Sequence, residues 1–347
     1  MPIESATFIS DLVPANPPGT DALSTAADHL RLTKSVVKAT FPNIVGALTA
    51  SNVELNYVTG VTSAIQTQLI TPTAVASING GSVGGFRNKL INGLFRTNRR
   101  GYVSGTALAV GVPATGVGYA HDGWRAGTLN SAYTFVQSAI STTITITAGT
   151  LITAAESYFI DSGTMVLGWG GTATARVGIN GAAPSGAYAV SPIAISCTPG
   201  QQVSVEFATG TLLNVQLENG QTASRVEYPT PELQDIRCQR LLPSITCVAN
   251  SAFGVGQAIL TTRGLVRVSF PVQARISPTG LIAPAAASFY LTDASYNAKA
   301  CTAIALTYPD PYSGLLQADV ASGLVAGNAT ILATTGTYAL SFTGAEL

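Results

Sequence analysis

Charged residues are scarce in this chain. Only 10% of its 347 residues are Asp, Glu, Lys or Arg, and 17 basic side chains balance 17 acidic ones. Nucleic-acid binding needs a basic surface, so a neutral chain with scattered cations argues against a nucleic-acid partner. Hydrophobic residues reach 46%, and so little charge indicates a protein that buries surface between subunits. An ordinary, slightly apolar globular protein is the alternative.

Metal-binding residue types are also few. The chain has only two histidines, His29 and His121. Its four cysteines form no Cys-x-x-Cys pair: Cys197, Cys238, Cys247 and Cys301. Such scattered ligands do not have the spacing of a zinc site, so we predict neither a metal nor a cofactor. Free buried thiols are favoured, although a Cys238–Cys247 disulfide stays open.

Signals for membranes and for catalysis are missing as well. No apolar run reaches the length of about 18 residues that spans a bilayer, and residues 1–5 do not open a secretory signal. Acidic residues are few and mostly stand singly in turns, whereas a glycosidase needs two carboxylates at a defined separation. No nucleophile elbow or phosphate loop stands out. We therefore predict a non-enzymatic protein without membrane insertion, assembled in a cytoplasm; a glycan-degrading enzyme is a minor alternative.

One short segment carries an oligomerisation pattern. In residues 55–69, apolar side chains recur at steps of three and four, with Thr62 at one position of the series: Leu55, Val58, Ile65 and Leu69. That spacing is typical of a helix that packs against copies of itself. Because an isolated helix of this length is marginal in water, we predict a neck whose flanking regions hold the copies together.

Four regions follow from the changes in composition. Residues 1–50 contain a Pro-rich piece and then a helix that starts near Thr20 or Asp21 and ends before Pro42. Residues 51–85 hold the short helical neck and a Gly-rich linker. From residue 86 onward, runs rich in Thr, Val and Ile alternate with turn residues, which predicts a sandwich or jelly roll over 86–242 and a second small β-sandwich over 243–347. The clearest predicted strands are 142–147, 165–169, 202–207, 213–217, 264–270, 287–291, 303–307 and 338–342. Residues 231–242 predict a helix with Pro231 in its first turn.

Three stretches together carry a family resemblance. Residues 28–44, joined to residues 55–69, resemble the virion-proximal head of tail fibres from tailed bacteriophages. Residues 88–101 and 119–125 resemble the opening of a jelly-roll module that occurs in phage tail proteins and is similar to carbohydrate-binding modules. Residues 215–242 look like the last strand and exit of that module. Residues beyond 242 resemble the tip domains that follow such modules.

The resemblance implies a structural protein of the virion tail, assembled in the host cytoplasm. The expected fold is mainly β: a helical adaptor (1–50), a short trimeric neck (51–85), a jelly-roll β-sandwich (86–242) and a small β-sandwich tip (243–347). The expected assembly is a homotrimer. Its adaptor would dock on phage tail or adaptor proteins, and its distal β domains would contact a host cell-surface glycan. A purely structural collar or tail-tip fibre without receptor binding is the alternative.

Four residues are candidates for a sugar site: Tyr119, Asp122, Trp124 and Trp169. A carboxylate accepts hydrogen bonds from sugar hydroxyls, and an indole offers a flat apolar face. The alternatives are that Trp124 belongs to the core while Asp122 fixes a turn. Trp169 stands between glycines that would expose its ring, but it fits a buried anchor equally well.

Two basic clusters complete the candidates. The predicted N-terminal helix carries a strip that we assign to virion docking on an acidic partner: His29, Arg31, Lys34 and Lys38. A solvated helix face is its alternative. Arg96, Arg99 and Arg100 lie close enough in sequence to meet an anionic sugar, although a solvated face or an ion pair with a neighbouring subunit is favoured.

Overall fold

The computed structural model describes residues 3–43, 51, 53–54, 77–78, 81–82, 86–160 and 163–347. It divides into two compact units, Met1–Ile70 and Thr71–Leu347. The predicted neck falls outside the described residues: Leu55, Val58, Ile65 and Leu69. Within the described ranges, no helix combines the length and the apolar character needed to cross a membrane.

The first unit contains the α-helix α1 (Ala26–Thr40). Short 3-10 turns precede it at Ile9–Asp11 and Leu23–Thr25. The helix closes with a bond from the Phe41 amide to the Val37 carbonyl, and the expected stop before Pro42 is confirmed because proline disfavours helical geometry in the preceding residue.

Residues 86–230 form two antiparallel sheets. A short hairpin precedes them, β1 (Ser77–Ile78) with β2 (Gly81–Ser82). The strands that follow are β3 (Arg125–Ala126), β4 (Ala132–Gln137), β5 (Thr142–Ala148), β6 (Leu151–Ala155), β7 (Thr164–Gly170), β8 (Ala175–Ile179), β9 (Ile193–Ser196), β10 (Val203–Phe207) and β11 (Gly210–Asn219). One sheet has the order β3-β6-β10-β8 and the other β4-β5-β11-β7-β9. A further 3-10 turn spans Ser157–Phe159.

One apolar core lies between these two sheets. The period of two in β5 turns Ile144 and Ile146 inward, where both are buried, while Phe207 enters from the opposite sheet. Trp124 is fully buried at the centre, with its ring centroid 4.2 Å from Phe95 and 5.8 Å from Phe207. Each buried side chain of this size contributes about 2–3 kcal/mol by leaving water. The prediction of a mainly β chain is confirmed.

The predicted helix after the sandwich is also confirmed, as α2 (Pro231–Leu241). The Thr230 side chain caps it by accepting a hydrogen bond from the Leu233 amide, and Pro231 occupies its first turn. Proline suits this position because the first amides of a helix have no partner within the helix.

Residues 243–347 form a closed barrel beside a small sheet. Their strands are β12 (Ser244–Cys247), β13 (Ala252–Leu260), β14 (Arg263–Ser269), β15 (Gly280–Ile282), β16 (Phe289–Thr292), β17 (Ala298–Thr307), β18 (Ser313–Val320), β19 (Ala329–Thr334) and β20 (Tyr338–Thr343). The barrel order is β13-β14-β18-β17-β16-β19, and the small sheet is β12-β20-β15. A 3-10 turn spans Ala286–Ser288.

The prediction of a small β-sandwich at this end is therefore wrong. Closure comes from β19, which pairs with β13 on one side and with β16 on the other. Sandwiches and barrels share the same inward–outward alternation along each strand. The sequence pattern predicted four strands in this region but neither β13 nor β19, whose pairing closes the barrel.

Polar contacts join the sandwich, α2 and the barrel within the second unit. Arg240 of α2 binds the Glu156 carboxylate at 3.0 and 2.9 Å through Nε and Nη2. The Arg275 amide donates to the carbonyl of Arg240 in α2 at 2.8 Å. A separate apolar cluster adds Ile91, Cys238 and Leu241, with Leu347 packed against it.

Candidate functional site

A cleft of about 520 Å³ opens at the edge of the sandwich, beside the first turn of α2. Its lining combines apolar and polar side chains from three separate chain segments: Leu94, Arg96, Thr97, Asn98, Arg99, Ile140, Tyr228, Pro229, Pro231, Gln234 and Asp235. Pockets of this size with a few converging polar groups are the usual form of small-ligand sites. The cleft is therefore the candidate site.

Asn92 organises the loop that forms one wall of the cleft. Its backbone is left-handed, with φ of 57°, a conformation that asparagine tolerates better than most residues. Its Oδ1 accepts from the amides of Arg96 and Thr97 at 2.9 and 3.2 Å, and its Nδ2 donates to the Thr97 carbonyl at 2.8 Å. Gln234 of α2 donates to the same Oδ1 at 2.8 Å. This network fixes the wall against the helix.

A buried ion-pair system supports the cleft from below. Asp122 is 1% exposed and accepts from the Arg99 amide at 2.9 Å and from Arg99 Nη1 at 2.7 Å. Nη2 of Arg99 pairs with Asp235, whose side chain is 56% exposed. Burial raises the pKa of Asp122, whereas the charge and hydrogen bonds of Arg99 act to lower it. The guanidinium thus links the interior to the rim of the cleft.

The solvent-facing part of the cleft is apolar on two sides. Tyr228 and Ile140 are 45% and 58% exposed. Arg96 is also exposed, and its Nη1 donates to the Ala139 carbonyl at 2.6 Å. Among the described residues, no carboxylate lies within ion-pair distance of Arg96. The cleft therefore offers an aromatic ring, an aliphatic side chain and an accessible guanidinium.

The four residues predicted to bind sugar are all buried. Trp124 is 0% exposed and donates from its indole to the Asn92 carbonyl at 3.1 Å, so it belongs to the core. Trp169 donates to the Ala173 carbonyl at 2.8 Å and meets the Phe207 ring edge-on. The Trp124 indole is fully enclosed, so its assignment to sugar stacking is wrong. Trp169 is 8% exposed and fits the alternative of a buried anchor, although it is among the residues that line a second pocket of about 310 Å³.

The two polar members of that set also face inward. Asp122 holds Arg99, as described above, rather than a ligand. Tyr119 is 6% exposed and donates from its hydroxyl to the Leu347 carbonyl. Burial raises the pKa of Tyr119 to about 12. Residues 119–125 therefore have a structural role: Asp122 holds the side chain of Arg99, which lines the cleft.

The predicted docking strip lies on α1. His29 Nε2 is 3.2 Å from the Asp21 carboxylate, and both side chains are largely buried. Arg31 pairs with Asp28 at 2.6 Å on the exposed surface. Lys34 and Lys38 are exposed on the following turns. Three of the four residues are therefore accessible, while His29 serves as a hydrogen-bond partner within the unit.

Sequence reasoning missed most of the cleft. The sequence indicates Arg96 only as part of a basic cluster, and it does not mark Ile140, Tyr228 or Asp235 as site candidates. One signal was available: Tyr228 precedes Pro229, Thr230 and Pro231. Two prolines around a helix cap fix the chain in an extended approach, which leaves a preceding aromatic ring at the surface.

In the part of the chain that the structure describes, no three His, Cys, Asp or Glu side chains are grouped so as to hold a metal ion. No disulfide joins any two of the four cysteines, all of which lie in the described residues.

No family model, curated protein or solved structure matches this chain.

Proposed function

We propose that this chain is a structural attachment protein of the phage tail-fibre type, which binds a saccharide in the cleft between Tyr228 and Arg96. The single observation that carries the binding role is this cleft, because it places an exposed aromatic ring beside several planar polar groups. Sugars have apolar ring faces and hydroxyls that both donate and accept. Aromatic side chains pack against the apolar faces of the sugar, and amide, carboxylate and guanidinium groups form hydrogen bonds with its hydroxyls.

The remaining parts of the proposal rest on the resemblance. They are a jelly-roll topology for the sandwich, a trimeric neck in residues 51–85, a homotrimeric fibre and docking of the N-terminal adaptor on a tail protein. Exposed apolar side chains on and near α1 support the docking role: Leu23 and Leu30 are 90% and 62% exposed. Such residues fit a surface that another protein covers. Three copies would bind a multivalent host surface with avidity that one weak site lacks.

The test is binding of the full-length protein to host cells and to a glycan array. We expect wild-type binding, and loss of most of it in Tyr228→Ala, because truncation removes the apolar face of the cleft. Tyr312→Ala is the matched control, since Tyr312 is 62% exposed on the barrel and outside the cleft. Equal binding by wild type and Tyr228→Ala would overturn the assignment of the cleft.

A purely structural fibre is the second candidate, and the exposed face of α1 favours it equally. It predicts tight binding to a tail protein with no binding to host cells or glycans. The mass of the full-length protein in solution tests the assembly: a trimer supports both candidates, and a monomer would contradict both.

A further inference from the structure

The arginines around the cleft are largely neutralised by the protein itself. Arg99 has two carboxylate partners, Asp122 and Asp235. Arg100, the third member of the basic cluster seen in the sequence, does not line the cleft; it is buried and pairs with Glu346. Among the described residues that line the cleft, Arg96 is an arginine with no carboxylate within ion-pair distance. Arg96 and Arg99 carry two positive charges, and Asp122 and Asp235 carry two negative ones, so the formal charges of this group sum to zero.

The first turn of α2 adds no anion site. Helix starts attract anions through free amides and the helix dipole. Here Pro231 has no amide hydrogen, the Leu233 amide donates to the Thr230 side chain, and the Gln234 amide donates to the Thr230 carbonyl. The acidic side chain of Glu232 also stands in this turn. Two of the amides at the helix end that faces the cleft therefore already have partners, and Pro231 has no amide hydrogen to offer.

The polar groups of the cleft include both donors and acceptors. Arg96 supplies N–H donors, and Asp235 keeps an exposed carboxylate. The Asn98 amide donates one hydrogen to the Tyr102 carbonyl at 3.0 Å, which leaves its second hydrogen as a further donor. The Thr97 hydroxyl already accepts from Gln234 Nε2 at 3.4 Å. Such a mixture suits hydroxyl groups, which need donors and acceptors together. A carboxylated or sulfated ligand would instead place its charge near Asp235 and gain attraction from Arg96 alone.

We propose that the cleft selects an uncharged saccharide, with one apolar sugar face against Tyr228 and Ile140 and its hydroxyls toward Arg96, Asn98 and Asp235. This inference rests on the proposed function and adds the chemical class of the ligand to it. Binding to a formally neutral site depends little on ionic strength, because no net charge is screened.

The test presents the full-length protein to an array of neutral oligosaccharides and of the same oligosaccharides carrying sialic or uronic acids, at low and high NaCl. We expect binding to neutral members, a change of less than about threefold in affinity between 50 and 500 mM NaCl, and a loss of about tenfold or more in Tyr228→Ala. Tyr228→Phe keeps the ring and should retain binding, whereas Tyr312→Ala should match wild type.

The outcomes separate the two proposals. Binding confined to acidic members, or affinity that falls steeply with salt and disappears in Arg96→Gln, would overturn the neutral class while leaving saccharide binding intact. Absence of binding to every member, with folded protein confirmed by circular dichroism, would overturn saccharide binding and this inference with it.

Discussion

Arg100 and Glu346 form a buried ion pair that ties the start of the sandwich to the end of the barrel. Their side chains are 7% and 1% exposed. Arg100 also donates to the Gly116 carbonyl at 3.1 Å, and the second Glu346 oxygen accepts from the Gly344 amide at 2.7 Å. Burial lowers the pKa of Arg100 to about 10. The charge of Asp122 also favours the charged form of Arg100, but Glu346 is the carboxylate in direct contact with the guanidinium.

Removing one partner of this pair should destabilise the second unit strongly. We expect Glu346→Gln to lower the free energy of unfolding by about 3 kcal/mol or more, because an uncompensated guanidinium stays buried. Urea unfolding followed by fluorescence measures it. Arg267→Gln is the control, since the Arg267–Asp310 pair is exposed and should be worth less than about 1 kcal/mol.

A double variant distinguishes charge from packing. Arg100→Met combined with Glu346→Leu removes both charges, and replacement of a whole buried pair by apolar residues is often neutral. We expect the double variant to be more stable than Glu346→Gln alone. If it is less stable, the pair acts mainly through its shape and hydrogen bonds.

Local patterns predicted the elements of this fold well. The run at 202–207 became β10 because alternate residues there fill the core, and Pro231 and Pro42 marked a helix start and a helix end. The barrel was missed because neither β13 nor β19 was among the predicted strands, and because the pairing between them joins distant segments. Pairing between strands that are distant in sequence leaves no periodic pattern of hydrophobic residues.

The candidate site was harder to predict than the fold. Trp124 and Asp122 are residue types that often bind sugars, yet both are buried here. Trp124 is part of the core, and Asp122 is the counter-ion of Arg99. The cleft instead uses Tyr228 and Ile140, which lie in loops far apart in sequence. Burial, rather than residue type, decides between these assignments.

Gly256 should be required for barrel closure. A Cβ at this position would lie against the Leu265 carbonyl of the paired strand, closer than real Cβ atoms come to backbone. We expect Gly256→Ala to cost about 2 kcal/mol or more, because the backbone of β14 must shift. In contrast, a Cβ at Gly163 meets only the Cys197 carbonyl at 3.5 Å. Gly163→Ala should leave stability unchanged or slightly raised. Thermal unfolding of both variants and of wild type compares their stabilities.

The four thiols should differ in reactivity. Cys238 and Cys301 are 0% and 3% exposed, and burial raises the pKa of each to about 12. Because the thiolate is the reactive form, iodoacetamide at pH 8 should label native protein first at Cys247, which is partly exposed whereas the other three cysteines are buried. Mass spectrometry of peptides from the digested protein shows the order in which the cysteines are labelled. Cys247→Ser should abolish the early label, and denaturation should expose all four thiols. A Cys238–Cys247 disulfide would instead protect both in urea.

His121 should make the second unit less stable as the solution is acidified. Burial lowers its pKa from 6.5 to about 4, and its ring lies edge-on to Phe135 with Nδ1 against the Tyr133 hydroxyl. Below pH 6.5 the unfolded chain binds a proton that the folded chain does not. Stability is therefore complete above that pH and decreases as pH falls toward 4. Between pH 7 and 5 we expect wild type to lose about 2 kcal/mol more than His121→Gln. His29→Gln removes the other histidine and should leave this slope in place; equal slopes in wild type and His121→Gln would contradict the assignment.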